Sequence, residues 1–198
     1  MTALLKKGTG NADRLSISGK DALSYSYQIY GFDGDDILKG GKKTDFLSGG
    51  NGNDSLYSGI GNDVLFGGTG ADTFIFNTAL GNSSIIRDFN PAEDKIQLDM
   101  SVFSSLSSGP LNTNNFVMGS LPTDVNDYLI YDADTGTVSY DEDGSGTNSS
   151  SALLTQLSPN LALSNENFLV TLPSAMQDTL KALGTLSDDQ ESFSVSSE

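Results

Sequence analysis

The sequence predicts an all-β fold: a parallel β-roll followed by a β-rich C-terminal cap. Three observations carry that prediction, namely a nine-residue period, a cluster of glycine in the same segment, and an acidic balance made almost wholly of aspartate. Five nonapeptides run without a gap from Gly31 to Ile75, reading GFDGDDILK, GGKKTDFLS, GGNGNDSLY, SGIGNDVLF and GGTGADTFI. The sixth position is Asp in every copy (Asp36, Asp45, Asp54, Asp63, Asp72), and the eighth is Leu38, Leu47, Leu56, Leu65 or Phe74. Of 22 glycines, 12 fall between Gly31 and Gly70. Isolated hairpins would not hold two positions to one period, whereas a coiled stack of identical units requires it.

Each element of the roll follows from the repeat. Three residues such as Ser55, Leu56 and Tyr57 suffice for a short strand, and the glycine-rich half of the unit reverses the chain through a half coil. Two nonapeptides then complete one coil. The eighth residue points inward, so Leu38, Leu56 and Phe74 line one sheet and Leu47 and Leu65 the other. A buried Leu contributes about 2 kcal/mol, which is too little over five copies to offset the ordering of a glycine-rich chain. The sixth positions supply the missing stabilisation. Loops two repeats apart stack, placing Asp36, Asp54 and Asp72 in one column and Asp45 and Asp63 in the other, and stacked carboxylates repel unless a cation lies between them. An oxygen cage of about six ligands, built from loop carbonyls and carboxylates, suits Ca²⁺ better than Mg²⁺.

The GGxGxDxUx pattern of Gly31 to Ile75 strongly resembles the RTX family of calcium-binding repeats, the type found at the C-terminal ends of type I-secreted exoproteins of the serralysin and haemolysin kind. The resemblance implies three or more Ca²⁺ ions, with sites between the turns that begin at 31 and 49, at 49 and 67, and at 40 and 58. It implies as ligands the five repeat aspartates and the loop carbonyls of Gly31, Gly34, Gly40, Gly49, Gly50, Gly52, Gly59, Gly61, Gly67, Gly68 and Gly70, with Asp33 as a further candidate. The second copy departs from the pattern, with Lys42 and Lys43 at its third and fourth positions. Two ammonium groups near the ion, and glycine-like backbone angles demanded of Lys43, make the Asp45/Asp63 site the weakest expected. Phe32 replaces the second glycine of the first copy, a smaller cost because any residue supplies a carbonyl oxygen.

Four segments follow from these signals: an irregular N-terminal cap over 1–30, the roll over 31–76, a β-rich cap over 77–172, and a short helix with an acidic, Ser-rich tail over 173–198. Upstream, GTGNADRLS (Gly8 to Ser16) is a degenerate copy, but Asp13 to Asp36 is not a multiple of nine, so Lys20 to Tyr30 reads as an irregular strand covering the open edge of the roll. Downstream, Ser84 to Phe89 and Lys95 to Asp99 read as strands around an NPAED turn. This run resembles the segment that follows the last repeats in secreted RTX proteases, where an Asp pair, here Asp88 and Asp94, completes the last calcium site; surface turn residues are the other reading. Asn126 to Gly146 reads as a hairpin with its turn at ADTG. Asp141, Asp143 and Ser145 hold positions one, three and five of a DxDGSG loop, but Ala152 stands where an EF-hand needs a bidentate Glu, leaving a looser Ca²⁺ site or a solvated turn. ALLTQL and NENFLV read as closing strands. Phe46, Val64 and Phe66 make an outward apolar face that the cap, or a partner, should cover.

The 198-residue chain has 10 basic and 26 acidic residues, a formal net charge of −16, and neither histidine nor cysteine. The acids are 21 Asp and 5 Glu, a bias toward loops and hard cations rather than acidic helices. Such a charge disfavours nucleic acid and anionic membranes as partners. Without His or Cys, the common Ser-His-Asp, Cys-His and zinc-hydrolase mechanisms are excluded, so binding rather than catalysis is expected, any catalytic domain lying outside this chain. No segment reads as a membrane span or a cleaved N-terminal signal. Pro173 can open a helix with Met176, Leu180 and Leu183 on one face and Gly184 at its end. That helix and its tail resemble the uncleaved C-terminal signal read by type I secretion machinery; a plain polar terminus is the other reading. The resemblance thus implies a secreted, extracellular bacterial protein whose calcium-binding module folds on extracellular calcium; the alternative reading is an accessory module for extracellular polysaccharide, or an adhesin segment, of a larger secreted protein with a parent catalytic or adhesive domain.

Overall fold

The computed structural model describes residues 3–145 and 151–183. Its elements in order are β1 (Leu4–Lys7), β2 (Arg14–Ser16), a short helix α1 (Gly19–Ser24), β3 (Tyr27–Asp33), β4 (Ile37–Lys39), β5 (Phe46–Asn51), β6 (Ser55–Tyr57), β7 (Val64–Thr69) and β8 (Thr73–Phe76). There follow β9 (Ser84–Ile86), β10 (Lys95–Asp99), β11 (Gly109–Pro110), β12 (Phe116–Met118), β13 (Leu129–Asp132), β14 (Thr137–Tyr140), β15 (Ala152–Gln156), β16 (Phe168–Thr171) and helix α2 (Ser174–Ala182). Through β10, successive strands alternate between two sheets, as a half coil per repeat demands. One sheet is ordered β1-β3-β5-β7-β9-β15-β14-β13-β12 and the other β11-β16-β10-β8-β6-β4-β2. Strands of the roll pair only in parallel, because each coil returns the chain in the same direction.

The register places the eighth positions as expected. Ile29, Leu47, Leu65 and Ile86 align across one sheet, and Leu15, Leu38, Leu56, Phe74, Ile96 and Phe168 across the other. All ten are buried. The apolar columns therefore continue past the last repeat: β9 and β10 each add a further rung, although 21 or 22 residues rather than 18 separate them from the rung before. Outside the core, polar side chains link the loops at the same 18-residue interval: Asn51 Nδ2 donates to Asp33 at 2.7 Å, and the Asn53 and Ala71 amides donate to Asp35 and Asn53 at 2.7 and 2.8 Å.

At the N-terminal end, Tyr27–Asp33 lies inside the stack, between β1 and β5. The residues that break the nine-residue period are taken up by α1, so the interruption is a local insertion and not a change of architecture. Lys6 occupies the inward position opposite Ile29, and its Nζ donates to the Ser16 carbonyl at 2.7 Å. A charge facing inward at the last rung closes the apolar column and guards the sheet edge.

In the C-terminal part, β13 and β14 form the expected antiparallel hairpin, and β15 joins it to β9. Phe103 packs edge-on against Tyr140 with ring centroids 5.1 Å apart, and the Tyr131 hydroxyl accepts the Leu161 amide at 3.1 Å. These strands extend the sheets edge-on and do not fold over the outward face of β5 and β7. On that face the half-buried rings pack on one another, with Tyr30 and Phe66 lying 5.4 and 5.5 Å from Phe46. Among the described residues the cap strands pair at the sheet edge and do not lie over this face, because sheet pairing satisfies their backbone donors. Met176 on α2 and Leu183 just beyond its end are exposed; Gly184 and the tail from Ser187 lie outside the described residues.

Candidate metal centre

The column of Asp36, Asp54 and Asp72 is held by the backbone. Each coil's Asp amide donates to the carboxylate one coil further on: Asp13 to Asp36 at 2.7 Å, Asp36 to Asp54 at 2.8 Å, Asp54 to Asp72 at 2.9 Å and Asp72 to Asp94 at 3.0 Å. In every case the acceptor is Oδ1. The ends of the column are closed by protein donors, since Asp13 Oδ2 accepts the amide and hydroxyl of Thr9 at 2.6 and 2.9 Å, and Asp94 Oδ2 accepts the Asn90 amide at 2.7 Å. The three carboxylates between them have no such partner. Oδ2 of Asp36, Asp54 and Asp72 is buried without a hydrogen-bond donor.

Carbonyl oxygens crowd the same places. A Cβ on Gly49 would stand 2.6 Å from the Gly67 carbonyl and closer still to Asp54 Oδ2, and a Cβ on Gly31 would stand 2.5 Å from the Gly49 carbonyl and against Asp36 Oδ2. Gly67 faces Asp72 Oδ2 in the same way. Glycine at these first positions therefore leaves a cradle rimmed by oxygen. Among the described residues no three acidic side chains converge, which fits a cage made mainly of carbonyls with one carboxylate from each turn. Buried oxygens of one sign without donors are relieved by a proton or by a cation, and at neutral pH and above a cation is the stronger partner. Hard oxygen ligands in a glycine-lined loop fit Ca²⁺, and a water would satisfy an oxygen while leaving the stacked charges uncompensated.

The electrostatics agree. Burial raises Asp54 from 3.8 to about 6 and Asp72 to about 7, in Asp72 with added repulsion from Asp94, Asp54 and Asp88. Burial also raises Asp36, Asp45 and Asp94, and lifts Asp63 to about 7. In each, burial disfavours the ionised form.

The opposite edge is built differently. The Tyr27 and Asp45 amides donate to Oδ1 of Asp45 and Asp63, both at 2.7 Å. Here the second oxygens have partners: Asp45 Oδ2 accepts the Gly41 amide at 2.6 Å, and Asp63 Oδ2 accepts the Ser84 hydroxyl at 3.4 Å. The loops differ too. In four of the five copies the second and fourth residues take positive φ, as with Gly50 (125°) and Gly52 (133°), but in the second copy neither Gly41 nor Lys43 does. Strain expected at Lys43 is therefore corrected, for its loop takes another path. Within the repeat loops the left-handed non-glycine residue is Phe32, at φ 86°, where a Cβ meets the steric cost the sequence assigned to the lysine.

Asp88 does not enter a carboxylate column; its two oxygens accept the Gly67 and Gly68 amides, each at 3.0 Å, in the place a further loop would occupy. Asp33 sits on the solvent side, bound to Asn51. Asp141 is buried at the end of the hairpin, its amide donating to the Tyr128 carbonyl at 2.8 Å and its Oδ1 accepting the Asp143 amide at 3.3 Å. Gly31, Gly34, Gly49, Gly50, Gly52, Gly67, Gly68 and Gly70 lie on the loops of the Asp36 edge, and Gly40, Gly59 and Gly61 on the other. Closure by Thr9 and Asn90 is not legible in the sequence at Asp94, where the donor is a backbone amide that any residue but proline supplies, and at Asp13 only the Thr9 hydroxyl four residues before it is a signal.

A two-sheet parallel roll whose loops stack carboxylates and carbonyls around uncompensated oxygen is a cation-binding repeat module. Residues 30–65 and 40–74 match the RTX calcium-binding nonapeptide repeat family, in four copies. The repeat segment is thus a set of calcium-binding RTX repeats. Among solved structures, the solution structure of the AlgE6R3 subunit from the Azotobacter vinelandii mannuronan C5-epimerase is 26% identical, over 81% of this chain and 80% of that chain, with a TM-score of 0.33. No curated protein matches the chain.

Proposed function

We propose that the chain is a calcium-driven folding module of a secreted protein, with Ca²⁺ held between stacked turns by the repeat aspartates and the glycine carbonyls of the loops. The reading rests on one observation above others: three buried carboxylate oxygens in register with no donor. A net charge of −16 opposes compaction at the low free Ca²⁺ of cytosol and keeps the chain extended. Outside the cell, millimolar calcium matches modules with Kd values of about 10⁻⁴ to 10⁻³ M, and binding to the folded form alone drives folding by mass action. Folding after export by a type I secretion system then favours one-way passage. No helix among the described residues is long and apolar enough to cross a membrane.

The test is a Ca²⁺ titration of EDTA-stripped protein, followed by far-UV circular dichroism and calorimetry, with Mg²⁺ as control. A transition to β structure near millimolar Ca²⁺ and absent with Mg²⁺ is expected; a stripped protein that is already fully folded and takes up no calcium would sink the proposal. A second reading, an accessory module for extracellular polysaccharide, is favoured by the outward row of half-buried rings at Tyr30, Phe46 and Phe66, since aromatic faces suit stacking on sugar rings. Affinity electrophoresis in polysaccharide gels separates the two: retardation lost in Phe46→Ala supports it, and unretarded migration in every gel removes it.

A further inference from the structure

We infer that calcium loads only one edge of the roll: three ions on the Asp36–Asp54–Asp72 edge, and none on the Asp45–Asp63 edge, which protein hydrogen bonds close without metal. The inference rests on the calcium reading above and departs from the repeat pattern, which assigns a site to both edges.

Four independent features separate the edges. First, orphaned oxygen occurs on one only. All five repeat aspartates are buried to within 2% exposure, yet the oxygens lacking a donor are Oδ2 of Asp36, Asp54 and Asp72. Asp45 Oδ2 has the Gly41 amide at 2.6 Å, and Asp63 Oδ2 has the Ser84 hydroxyl at 3.4 Å, a single proton shared with the Gly61 carbonyl at 3.3 Å. Second, the loop from Gly40 to Asp45 lacks the positive φ at its second and fourth residues that the other four loops share. Its carbonyls are therefore turned differently from those that rim the cradles at Gly31 and Gly49. Third, Lys42 and Lys43 bring two positive charges to the loop that would have to hold the ion. Fourth, the neighbouring coils of this edge offer no carboxylate: Tyr27 stands where the preceding Asp would be, and Ser84 where the next one would be. The Asp36 edge, by contrast, runs through five carboxylates from Asp13 to Asp94.

One ion for each orphaned oxygen gives three, and the edges respond differently to an Asp→Asn change. Asp63→Asn is hydrogen-bond neutral, since the amide oxygen still accepts from the Asp45 amide while its nitrogen donates to Ser84 Oγ. Asp54→Asn leaves the Oδ1 bond to Asp36 intact and removes only the charged oxygen of the cradle. The experiment counts bound ions by atomic emission after equilibrium dialysis of the full chain, with calorimetry for affinity, in the wild type and both variants. Three ions are expected in the wild type and in Asp63→Asn, with midpoints within about twofold of one another, while Asp54→Asn loses at least one ion or shifts its midpoint by about tenfold or more, the scale of one lost charge-assisted contact. Any other wild-type count, or an ion lost in Asp63→Asn, overturns the one-edge assignment while leaving calcium binding standing. A wild type that binds no calcium overturns both. The wild-type count needs no variant to fold, so the inference stays testable if either substitution misfolds.

Discussion

Replacing Asp54 by Asn should change the sign of its effect with calcium. Asp54 is 1% exposed, its Oδ1 accepts the Asp36 amide at 2.8 Å, and its Oδ2 has no donor. Asn retains the first bond and presents an N–H group beside the Gly67 carbonyl instead of a charge. With calcium at about 10 mM and a site of Kd about 10⁻⁴ M, one ion adds about 2.7 kcal/mol to folding. Losing it should lower Tm by roughly 5 to 11 °C, taking 2–4 °C per kcal/mol for a chain of this size. In EDTA at neutral pH the balance reverses. Burial raises Asp54 from 3.8 to about 6, so holding it ionised costs the metal-free fold about 3 kcal/mol at most. The neutral amide avoids that cost, and the variant should be more resistant to heat and urea than the wild type. The assay is thermal and urea denaturation followed by circular dichroism, each in EDTA and in calcium. Destabilisation of equal size in both conditions would refute the reasoning, for it would make Asp54 a packing and hydrogen-bonding residue alone.

The pH dependence has a defined sign. Asp54, Asp63 and Asp72 sit near 6, 7 and 7 in the fold against 3.8 when exposed, so the metal-free roll retains protons that the unfolded chain releases. Their contribution to metal-free stability is complete below about pH 4 and is lost as pH rises through about 6 to 7, while calcium must displace the protons of Asp54 and Asp72; as pH falls from about 7.5 to 5.5, urea midpoints in EDTA should rise and calcium midpoints weaken. Phe32→Gly relieves the positive φ of a bulky residue and should stabilise the loaded roll by about 1 kcal/mol, read from the urea midpoint; a loss of stability would show that the ring stacked 6.3 Å from Tyr30 outweighs the strain. Lys6→Leu removes the inward charge at the end of the column and should promote edge-to-edge association, seen as dimers or larger species by light scattering, with a strictly monodisperse variant counting against the role assigned to Lys6.

Much of this protein was legible in its sequence because a repeat is a local code read many times. The nine-residue period set the half coil, the eighth residues set the inward columns, and the register from Leu38 through Leu56 to Phe74 is the one the period requires. The carboxylate columns followed from the same arithmetic, as did the hairpin of β13 and β14 from alternation around ADTG. Where the period broke, the sequence lost its hold. The insertion that forms α1 hid the fact that Ile29 is a rung of the core, and the longer spacing to β9 and β10 hid two more. The cap's place was not legible either, since whether strands fold over a face or extend an edge depends on which backbone donors remain unpaired after the roll has formed.

The sequence marked the Asp45/Asp63 pair as the weaker only through Lys42 and Lys43, whereas the fold separates the two columns oxygen by oxygen. Sequence alone determined that five carboxylates would stack at a fixed interval on two edges of a glycine-rich roll, because spacing along a regular coil becomes position in space. Only the tertiary structure decided which oxygens lack a partner. That depends on Gly41 turning its amide toward Asp45, on Ser84 standing in for a carboxylate beside Asp63, and on a loop in which Lys43 declines the left-handed conformation its neighbours adopt. Each is a contact between separate coils or a choice of backbone path, set by the packed whole and by no single repeat.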